Sequence, residues 1–226
     1  MNIMIIGAHP DDVEIGMGGT LIAILQEGYQ VTVIDLTDGE PTPYGNTEIR
    51  KKETSEANHI LGVKNRINLG LKNRYLEDDI SSRILLAEQI RINRSEIIFA
   101  PYWDDAHPDH IAASRLCDAA RFYGKLTKTD MKGEPFYVPR IYYYYVSHLR
   151  INIIPSFILD ITQGMEQKLA ALQCYQSQFG PTIKEPSGTP WVIRTNAYWG
   201  GLIRKDYGEA FVSKECIGLK KIGDLL

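Results

Sequence analysis

Two short clusters of histidine and aspartate constrain this chain more than any other feature, because each follows a run of apolar residues. The first, Gly7-Ala-His-Pro-Asp-Asp-Val-Glu-Ile-Gly-Met-Gly-Gly19, follows the run Asn2–Ile6. The second, His107-Pro-Asp-His110, comes shortly after Glu-Ile-Ile-Phe-Ala-Pro at 96–101. Short apolar runs that end at turn residues are typical of strands covered on both faces. The pattern therefore predicts that both clusters lie where buried strands end.

Strand-like and helix-like segments alternate along most of the chain. Strands are predicted at Asn2–Gly7, Val31–Leu36, Glu96–Pro101, Arg140–Ser147 and Phe157–Ile161. Helices are predicted at Gly19–Glu27, Glu48–Leu61, Ile80–Asn93, His110–Tyr123 and Met165–Gln178. This alternation predicts an α/β fold with a doubly wound, mostly parallel, Rossmann-like sheet, in which ligands bind outside the carboxyl ends of the strands.

The C-terminal part of the chain has a weaker pattern. Its turn-forming residues predict a loop and comprise Pro181, Pro186, Gly188 and Pro190. The tail that follows has no clear periodicity, so we expect an elaborated C-terminal region. No linker or repeat divides the chain, and residues 1–226 are predicted to form a single domain.

Composition narrows the classes of partner. The net charge is −3 and no run of Lys or Arg is longer than a pair, which argues against a nucleic-acid partner. No apolar stretch approaches the ~18 residues of a membrane span, and the start has no basic leader. The three cysteines are far apart and suggest no disulfide framework. We therefore predict a cytoplasmic protein that acts on a small molecule, and the sequence leaves a homo-oligomer open.

The two clusters together can supply a metal site. Two residues separate His9 from Asp12, and in a tight turn their side chains can converge within ~2.0–2.2 Å of one ion. His110 would supply a third bond from the second cluster. Three ligands of this type leave a position open for water and substrate, as in catalytic zinc sites. Zn²⁺ is therefore predicted, although the same donors also accept Fe²⁺, Mn²⁺ or Co²⁺.

The remaining residues of the clusters can supply acid and base. Side chains of adjacent residues diverge, so Asp11 is free to take a proton from a water molecule whose pKa a cation has lowered. His107 is free to protonate a leaving amine or to stabilise an oxyanion, and Asp109 could hold its ring. This combination predicts hydrolysis.

Each of these residues also has a purely structural explanation. Either aspartate alone is more often a helix N-cap, the glycines can serve close packing, and a lone His-Pro-Asp is usually a surface turn. Both clusters at strand ends nevertheless favour a functional site. The glycines do not form Gly-x-Gly-x-x-Gly, so a dinucleotide site is poorly supported. His59 and His148 have no acidic neighbour at ligand spacing and are expected outside the site, while Glu14 and Asp104-Asp105 are expected to support it or to be solvated.

These residues closely resemble the motifs of the LmbE/PIG-L family of metal-dependent de-N-acetylases. The resemblance is carried by Ala8-His-Pro-Asp-Asp-Val-Glu-Ile-Gly-Met-Gly-Gly-Thr20, His107-Pro-Asp-His110, Asp35-Leu-Thr-Asp-Gly39, Arg50-x-x-Glu53, Lys168 and Ser177-Gln-Phe179. Within the family, the sequence looks most like the bacterial deacetylases that act on N-acetylglucosaminyl-malate in bacillithiol synthesis.

The resemblance assigns roles that agree with the chemistry above. It implies that zinc is held by three residues, His9, Asp12 and His110. It also implies that Asp11 is the general base and that His107 is the acid or oxyanion partner. Only the resemblance, and not the residue pattern, implies that Arg50 contacts substrate. The sequence departs from mycothiol-pathway relatives at Asp105, where they have tyrosine, and the segment 180–205, with Trp191 and Trp199, diverges from the bacillithiol type.

The expected function is that of a zinc hydrolase that removes acetyl from an N-acetylglucosamine-containing small molecule, with N-acetylglucosaminyl-malate as one candidate. A first alternative is a non-haem iron oxygenase, because two histidines and one carboxylate also form a facial triad. The doubly wound pattern and the spare Asp/His pair argue against it. A second alternative is a non-catalytic sugar-binding module anchored by the metal, whose function Asp11→Asn would leave intact.

Overall fold

The computed structural model describes residues 1–146, 148–149, 152–180 and 188–219. Within these ranges, one sheet is built from β1 (Asn2–Gly7), β2 (Gln30–Thr37), β3 (Arg66–Leu71), β4 (Ile97–Pro101), β5 (Arg140–Tyr144), β6 (Phe157–Asp160) and β7 (Gly208–Val212). The helices are α1 (Asp12–Gln26), α2 (Thr47–Leu61), α3 (Ile80–Asn93), α4 (Pro108–Gly124), α5 (Met165–Leu172), α6 (Gln176–Phe179) and α7 (Gly188–Leu202). No helix in these ranges is long and apolar enough to cross a membrane.

The strands lie in the order β3-β2-β1-β4-β5-β7-β6. Strands β1 to β5 pair in parallel, while β7 runs antiparallel to both β5 and β6. The prediction of a doubly wound, mostly parallel sheet is therefore confirmed. The direction of the chain order reverses between β1 and β4, and in such sheets the crevice at that point binds ligands. Both His/Asp clusters follow these two strands.

The apolar run of β1 is continuous because both of its faces are covered. Met4 and Ile6 pack into one core beneath α3 and α4. Ile3 and Ile5 pack into a second core beneath α1, α2 and α5. Successive side chains of a strand point to opposite faces, so a strand buried on both sides needs apolar residues at every position. This strand is consequently a rigid support for the turn that follows it.

Helix α1 begins seven residues earlier than the predicted start at Gly19, and its glycines serve close packing. A Cβ atom on Gly16 would lie 2.2 Å from the ring of Tyr144, and one on Gly19 would lie 2.6 Å from Ile161. The helix is interrupted at Met17, whose φ of −150° is not helical. Glycine disfavours helix, so the sequence pattern missed this first turn, which tertiary packing stabilises.

A buried ion pair provides hydrogen-bond acceptors for backbone N–H groups of α1 that follow the interruption. Glu209 of β7 accepts hydrogen bonds from the backbone N–H groups of Gly19 and Thr20, at 3.0 and 2.7 Å. The same carboxylate lies 2.6 Å from Lys168 Nζ, and both side chains are fully buried. Lys168 also donates to Asn196 Oδ1 at 2.9 Å. Helix α1 is thus tied to β7, α5 and α7.

We predict that Glu209→Gln lowers the free energy of unfolding by about 3–5 kcal/mol, because it leaves the Lys168 ammonium buried without its counter-charge. Urea unfolding measures the effect. The matched control is Lys205→Ala, which breaks an ion pair with Asp160 whose side chains are 54% and 38% exposed and should cost less than about 1 kcal/mol. Equal losses in the two variants would contradict the account of the buried pair.

Three other parts of the secondary structure differ from the prediction. Strand β3 was not predicted, because an edge strand that contains Arg66, Asn68 and Gly70 has no apolar run. The helix predicted at Met165–Gln178 is divided into α5 and α6. The loop predicted through Gly188 and Pro190 is instead the start of α7, where proline is tolerated because first-turn N–H groups need no partner within the helix. Pro181, Pro186 and Ser147 lie outside the described residues.

Most other predicted elements are confirmed to within a few residues at each end. The predicted helix Ile80–Asn93 coincides with α3, and Glu48–Leu61 differs from α2 by one residue. The elaborated C-terminal region is also confirmed, since β7 inserts between β5 and β6. The inserted strand β7 places Glu209 against α1, the helix that begins with the first His/Asp cluster.

Candidate active site

The first cluster occupies the tight turn between β1 and α1. The backbone carbonyl of Ala8 accepts hydrogen bonds from the N–H and the hydroxyl of Thr37 in β2, at 3.0 and 2.9 Å. The His9 N–H donates to Asp12 Oδ2 at 2.9 Å, and the Asp12 N–H donates back to the His9 carbonyl at 3.3 Å. These reciprocal bonds close the turn and bring the His9 and Asp12 side chains to one side.

The second cluster forms the start of α4. His107 is the N-cap residue, and its Nδ1 accepts a hydrogen bond from the Asp109 N–H at 3.2 Å. Pro108 occupies the first turn, where its fixed φ favours helix initiation. Asp105 Oδ1 accepts from the His107 N–H at 3.0 Å and so holds the preceding loop. His110 is thereby placed in the first turn of the helix, facing β1.

The predicted metal ligands converge. His9 Nδ1 lies 3.5 Å from Asp12 Oδ2, and His110 Nε2 lies 3.2 Å from Asp12 Oδ1. One ligand atom from each of the three residues lies within 4.8 Å of the others, and all three residues are buried. Two imidazoles and one carboxylate at this separation can close around a single divalent cation.

Each of the two imidazoles has a carboxylate on its other nitrogen. His9 Nε2 donates to Asp109 Oδ2 at 3.2 Å, and His110 Nδ1 donates to Asp105 Oδ2 at 2.7 Å. Asp109 is itself held by the Arg74 N–H at 2.6 Å. Carboxylates behind ligating histidines fix the ring orientation and raise the basicity of the free nitrogen. The arrangement leaves His9 Nδ1 and His110 Nε2 to face Asp12.

The charges of the site favour a cation. Burial alone would lower the pKa of His9, but the hydrogen bonds to Asp109 and Asp12 raise it to about 9. Burial likewise opposes protonation of His110, yet Asp12 and Asp105 raise its pKa to about 10. Burial opposes ionisation of Asp12, while His110 and His9 hold its pKa well below the usual range. The buried carboxylates therefore favour positive charge between the two imidazoles. A divalent cation would supply this charge in place of the protons that His9 and His110 otherwise bind.

Asp11 lies beside the predicted ligands in a strained conformation. Its φ is 114°, a region that non-glycine residues rarely adopt. Its Oδ2 accepts from Arg50 Nη1 at 3.1 Å, and the same Nη1 donates to the Pro10 carbonyl at 2.6 Å. Burial raises the pKa of Asp11 to about 7, against the opposing effect of Arg50. A carboxylate with a pKa near neutrality is well matched to proton transfer.

The surroundings of His107 distinguish between its two predicted roles, acid and oxyanion partner. Burial and the neighbouring His9 and His110 lower its pKa to about 4, so the imidazole is neutral near pH 7. Its Nδ1 accepts the Asp109 N–H, which places the remaining proton on Nε2. His107 lines the cleft and can therefore donate a hydrogen bond without carrying a charge.

Two further residues differ from their predicted places. The Asp109 carboxylate bonds to His9 rather than to the His107 ring, because only its backbone N–H faces Nδ1 of His107. His148, expected outside the site, lines the cleft, and its backbone N–H donates to Asp105 Oδ1 at 2.9 Å. The sequence analysis expected Asp105 either to support the site or to be solvated, and did not predict its bond to His110. Its position just before the second cluster is the feature that could have indicated this role.

The cleft above these residues has a volume of about 620 Å³. The residues that line it include both clusters, through His9, Asp11, Asp12, His107 and His110, and also Arg50, Thr42, Asn73, Arg74, Val146, His148, Gln178, Phe179 and Trp191. Arg50 was expected to contact substrate. It does line the cleft, with Nη1 bound to Asp11 and Nε bound to Glu40 Oε1 at 3.2 Å.

We predict that Asp105→Asn weakens metal binding by roughly 10- to 100-fold, because the amide cannot support His110 as a charged acceptor does. Competition with a chromogenic chelator measures the dissociation constant. Asp160→Asn, which alters an exposed carboxylate far from the site, serves as the control. Unchanged metal affinity in Asp105→Asn would show that the hydrogen bond to His110 has no role in binding.

Comparison with known proteins is consistent with this geometry. The PIG-L family model, described as GlcNAc-PI de-N-acetylase, matches residues 4–121, a range that contains both clusters. Diacetylchitobiose deacetylase of Thermococcus kodakarensis is 28% identical over 222 residues, covering 92% of this chain and 80% of that protein. A probable N-acetyl-alpha-D-glucosaminyl L-malate deacetylase 2 of Bacillus anthracis is 28% identical over 199 residues, covering 81% and 84%.

A solved structure also resembles this fold closely. The conserved protein TT1542 from Thermus thermophilus is 39% identical, with a TM-score of 0.87 and 96% of each chain covered. The similarity thus extends over nearly the whole chain.

Proposed function

This chain belongs to the PIG-L family of N-deacetylases, and we propose that it hydrolyses the acetamide of an N-acetylglucosamine-containing small molecule with a divalent metal ion, zinc by preference. The observation that carries the proposal is the convergence of His9, Asp12 and His110. Next to them lies the carboxylate of Asp11, which is paired with Arg50 and is not one of the three proposed ligands. We also propose that residues 1–226 form one deacetylase domain, because β7 and Glu209 join the C-terminal part to the sheet and to α1.

The donor set fits the proposed ion. His9, Asp12 and His110 would hold it, with Asp109 and Asp105 behind the two imidazoles. When bound, the ion would polarise the acetamide carbonyl and lower the pKa of nearby water. Zinc suits two imidazoles and one carboxylate, and Fe²⁺, Mn²⁺ and Co²⁺ are accepted by the same donors.

Asp11 is proposed to move the proton. Its carboxylate lines the cleft and is held there by Arg50 and by the strained turn, so little reorganisation is needed when it accepts a proton from the attacking water. The same proton then passes to the sugar nitrogen as the C–N bond breaks, and the products are acetate and the free amine. Asp11 thus acts first as base and then as acid.

His107 is proposed to stabilise charge rather than to donate a proton. The carbonyl oxygen becomes negative when water adds to the amide, and a neutral imidazole that donates from Nε2 can bond to it. The low pKa of His107 supports this assignment. A ring that is neutral at pH 7 has its single proton on Nε2 and lacks the second proton that a general acid would give to the leaving amine. The proton for the leaving amine then comes from Asp11.

Arg50 is proposed to contact the sugar while it holds Asp11. Its Nη1 and Nε are already bonded to Asp11, Pro10 and Glu40, and Nη2 has no hydrogen-bond partner among the residues described. Glu40 also offsets its charge. A role next to the reacting acetamide is therefore better supported than capture of a distant carboxylate such as that of malate.

We predict that Arg50→Ala lowers kcat/KM by roughly 10- to 150-fold, and by similar factors on N-acetylglucosaminyl-malate and on its neutral methyl glycoside, because the loss acts through Asp11. Steady-state kinetics on the two substrates measures the effect. A loss confined to the malate glycoside would instead assign Arg50 to the aglycone carboxylate, and unchanged values on both would remove it from the site.

The proposed function is tested by acetate release. Metal-loaded protein is incubated without oxygen with a panel of N-acetylglucosaminides, and mass spectrometry follows acetate and the free amine. Release from at least one glycoside supports the proposal. A requirement for oxygen would favour the iron oxygenase, and binding without release would favour the sugar-binding module.

A further inference from the structure

One imidazole of the cleft has no role in the reaction proposed above. His148 Nδ1 lies 3.5 Å from Asp105 Oδ1, and the two side chains are 61% and 1% exposed. This separation is longer than the roughly 2.7–3.2 Å of a good N–H···O hydrogen bond. The ring of His148 is therefore placed next to a buried carboxylate without a short hydrogen bond to it.

The same separation suits two ligands of one metal ion. Zn–N and Zn–O bonds of about 2.0–2.2 Å at a tetrahedral angle place the two ligand atoms roughly 3.3–3.5 Å apart. In the predicted catalytic set, His9 Nδ1 and Asp12 Oδ2 are also 3.5 Å apart. Asp105 and His148 therefore repeat the geometry of that pair.

A shared imidazole separates the two sets of donors. One ligand atom from each of Asp105, His110 and His148 lies within 4.8 Å of the others. His110 Nε2 faces Asp12 of the predicted catalytic set at 3.2 Å, whereas His110 Nδ1 donates to Asp105 Oδ2 at 2.7 Å. Because Nδ1 keeps its proton in that bond, the donors left for a second ion are Asp105 Oδ1 and His148 Nδ1.

The carboxylate of this pair is held in place. Asp105 Oδ1 accepts hydrogen bonds from the backbone N–H groups of His107 and His148, at 3.0 and 2.9 Å. Carboxylates that ligate metals are typically fixed by hydrogen bonds in this way. The pair differs in this respect from an acidic and a basic side chain that meet by chance on a surface.

The pair opens to the cleft. His148 lines the cleft, and its exposed side chain leaves room for water to complete the coordination of an ion. The centroid of its ring lies 5.6 Å from that of His107 and 5.5 Å from that of His110. An ion at His148 would therefore lie beside the residues that act on the substrate.

We propose that Asp105 and His148 bind a second divalent ion, more weakly than the first is bound, and that this ion slows deacetylation. Imidazole donors favour Zn²⁺, Co²⁺ or Ni²⁺ over Mg²⁺ or Ca²⁺. The ion would draw charge from the carboxylate that supports His110, and it would fill the cleft beside His107, where the carbonyl oxygen must bind. The effect on turnover rests on the proposed function, whereas the binding of the ion does not.

Titration with Co²⁺ tests the binding. Protein loaded with one equivalent of Co²⁺ is titrated with further Co²⁺, equilibrium dialysis counts the ions, and visible absorption reports their ligands. The wild type should take up a second ion, and His148→Ala should bind it at least roughly tenfold more weakly. His59→Ala, which removes an exposed histidine of α2, is the matched control and should behave as the wild type.

Two results of the titration would overturn the site. One is a wild type that binds no second ion. The other is a second ion bound equally well by His148→Ala, which would place that ion elsewhere on the surface.

Inhibition by Zn²⁺ tests the effect on turnover. Zn²⁺ beyond one equivalent should slow acetate release by the wild type, and Mg²⁺ at the same concentration should not. His148→Ala should need roughly tenfold more Zn²⁺ for the same fractional loss, each protein being compared with its own rate at one equivalent. Equal sensitivity of His148→Ala and the wild type would overturn the inhibitory role.

The two measurements separate this site from the proposed function. A second Co²⁺ ion that requires His148 would support the site even if no N-acetylglucosaminide released acetate, an outcome that would contradict only the proposed function. Acetate release by a protein that binds a single ion at any Co²⁺ concentration would overturn the second site and leave the proposed function supported.

Discussion

His9→Ala, Asp12→Ala and His110→Ala should each reduce bound metal to a small fraction of one equivalent. Each change removes one of three protein ligands, and two remaining bonds hold an ion poorly against water. Elemental analysis after purification and dialysis measures the stoichiometry. Activity should fall with the metal content, because the carbonyl then lacks its Lewis acid.

A matched control separates this effect from a general loss of histidine. His59 lies exposed on α2, and His59→Ala should keep the wild-type metal content. Asp12 also closes the turn through the His9 N–H, so Asp12→Asn is included as a variant that preserves shape. Full metal occupancy in all of the ligand variants would refute the assignment of these three residues.

Asp11→Asn should retain the metal yet lose roughly 10²–10⁴ in turnover, because the amide has nearly the same shape but cannot accept the proton of water. Asparagine is preferred to alanine for this test, since it tolerates the positive φ of position 11 better than most residues. The measurements are metal content, the midpoint of thermal unfolding and kcat on one substrate.

The combination of results identifies the base. Retained metal and fold with a large loss of kcat supports Asp11 in proton transfer. Turnover close to that of the wild type, with metal bound, would place the base elsewhere and would also restore the sugar-binding module as an account of the site.

The part of the site that follows β1 and β4 could be predicted from the sequence. Buried parallel strands have a strong apolar signal, and their carboxyl ends meet at one edge of the sheet, so residues as distant as His9 and His110 were expected to converge. The structure brings these two residues and Asp12 together as expected. Their roles as ligands, and that of Asp11 as base, stay predictions until the experiments above are done.

The parts that depend on tertiary packing could not be predicted. Strand β3 contains Arg66, whose guanidinium pairs with Asp35 and Glu14 across the sheet, and no local pattern reveals those partners. Helix α7 begins in a stretch rich in glycine and proline, so the residues at its start, Gly188 and Pro190, were predicted to belong to a loop. Local propensity is a weak guide wherever distant contacts stabilise an element.

The protonation states of the site residues also could not be predicted from the sequence. The sequence left His107 two roles, protonation of a leaving amine or stabilisation of an oxyanion, and only the structure shows that burial and the nearby His9 and His110 lower its pKa to about 4. The direction of such a shift depends on which charges surround the ring and not on its neighbours in the chain. The cytoplasmic location stays a prediction.

The measurement that tests the central claim most directly is the fate of solvent oxygen during turnover in water enriched in ¹⁸O. Metal-loaded wild type and Asp11→Asn are incubated under nitrogen with N,N′-diacetylchitobiose, and the masses of acetate and of the free amine are determined by mass spectrometry. Hydrolysis predicts acetate that carries one solvent oxygen, a free amine that carries none, and a much slower appearance of both with Asp11→Asn. Unlabelled acetate, or no acetate from this or any other N-acetylglucosaminide, would contradict the account.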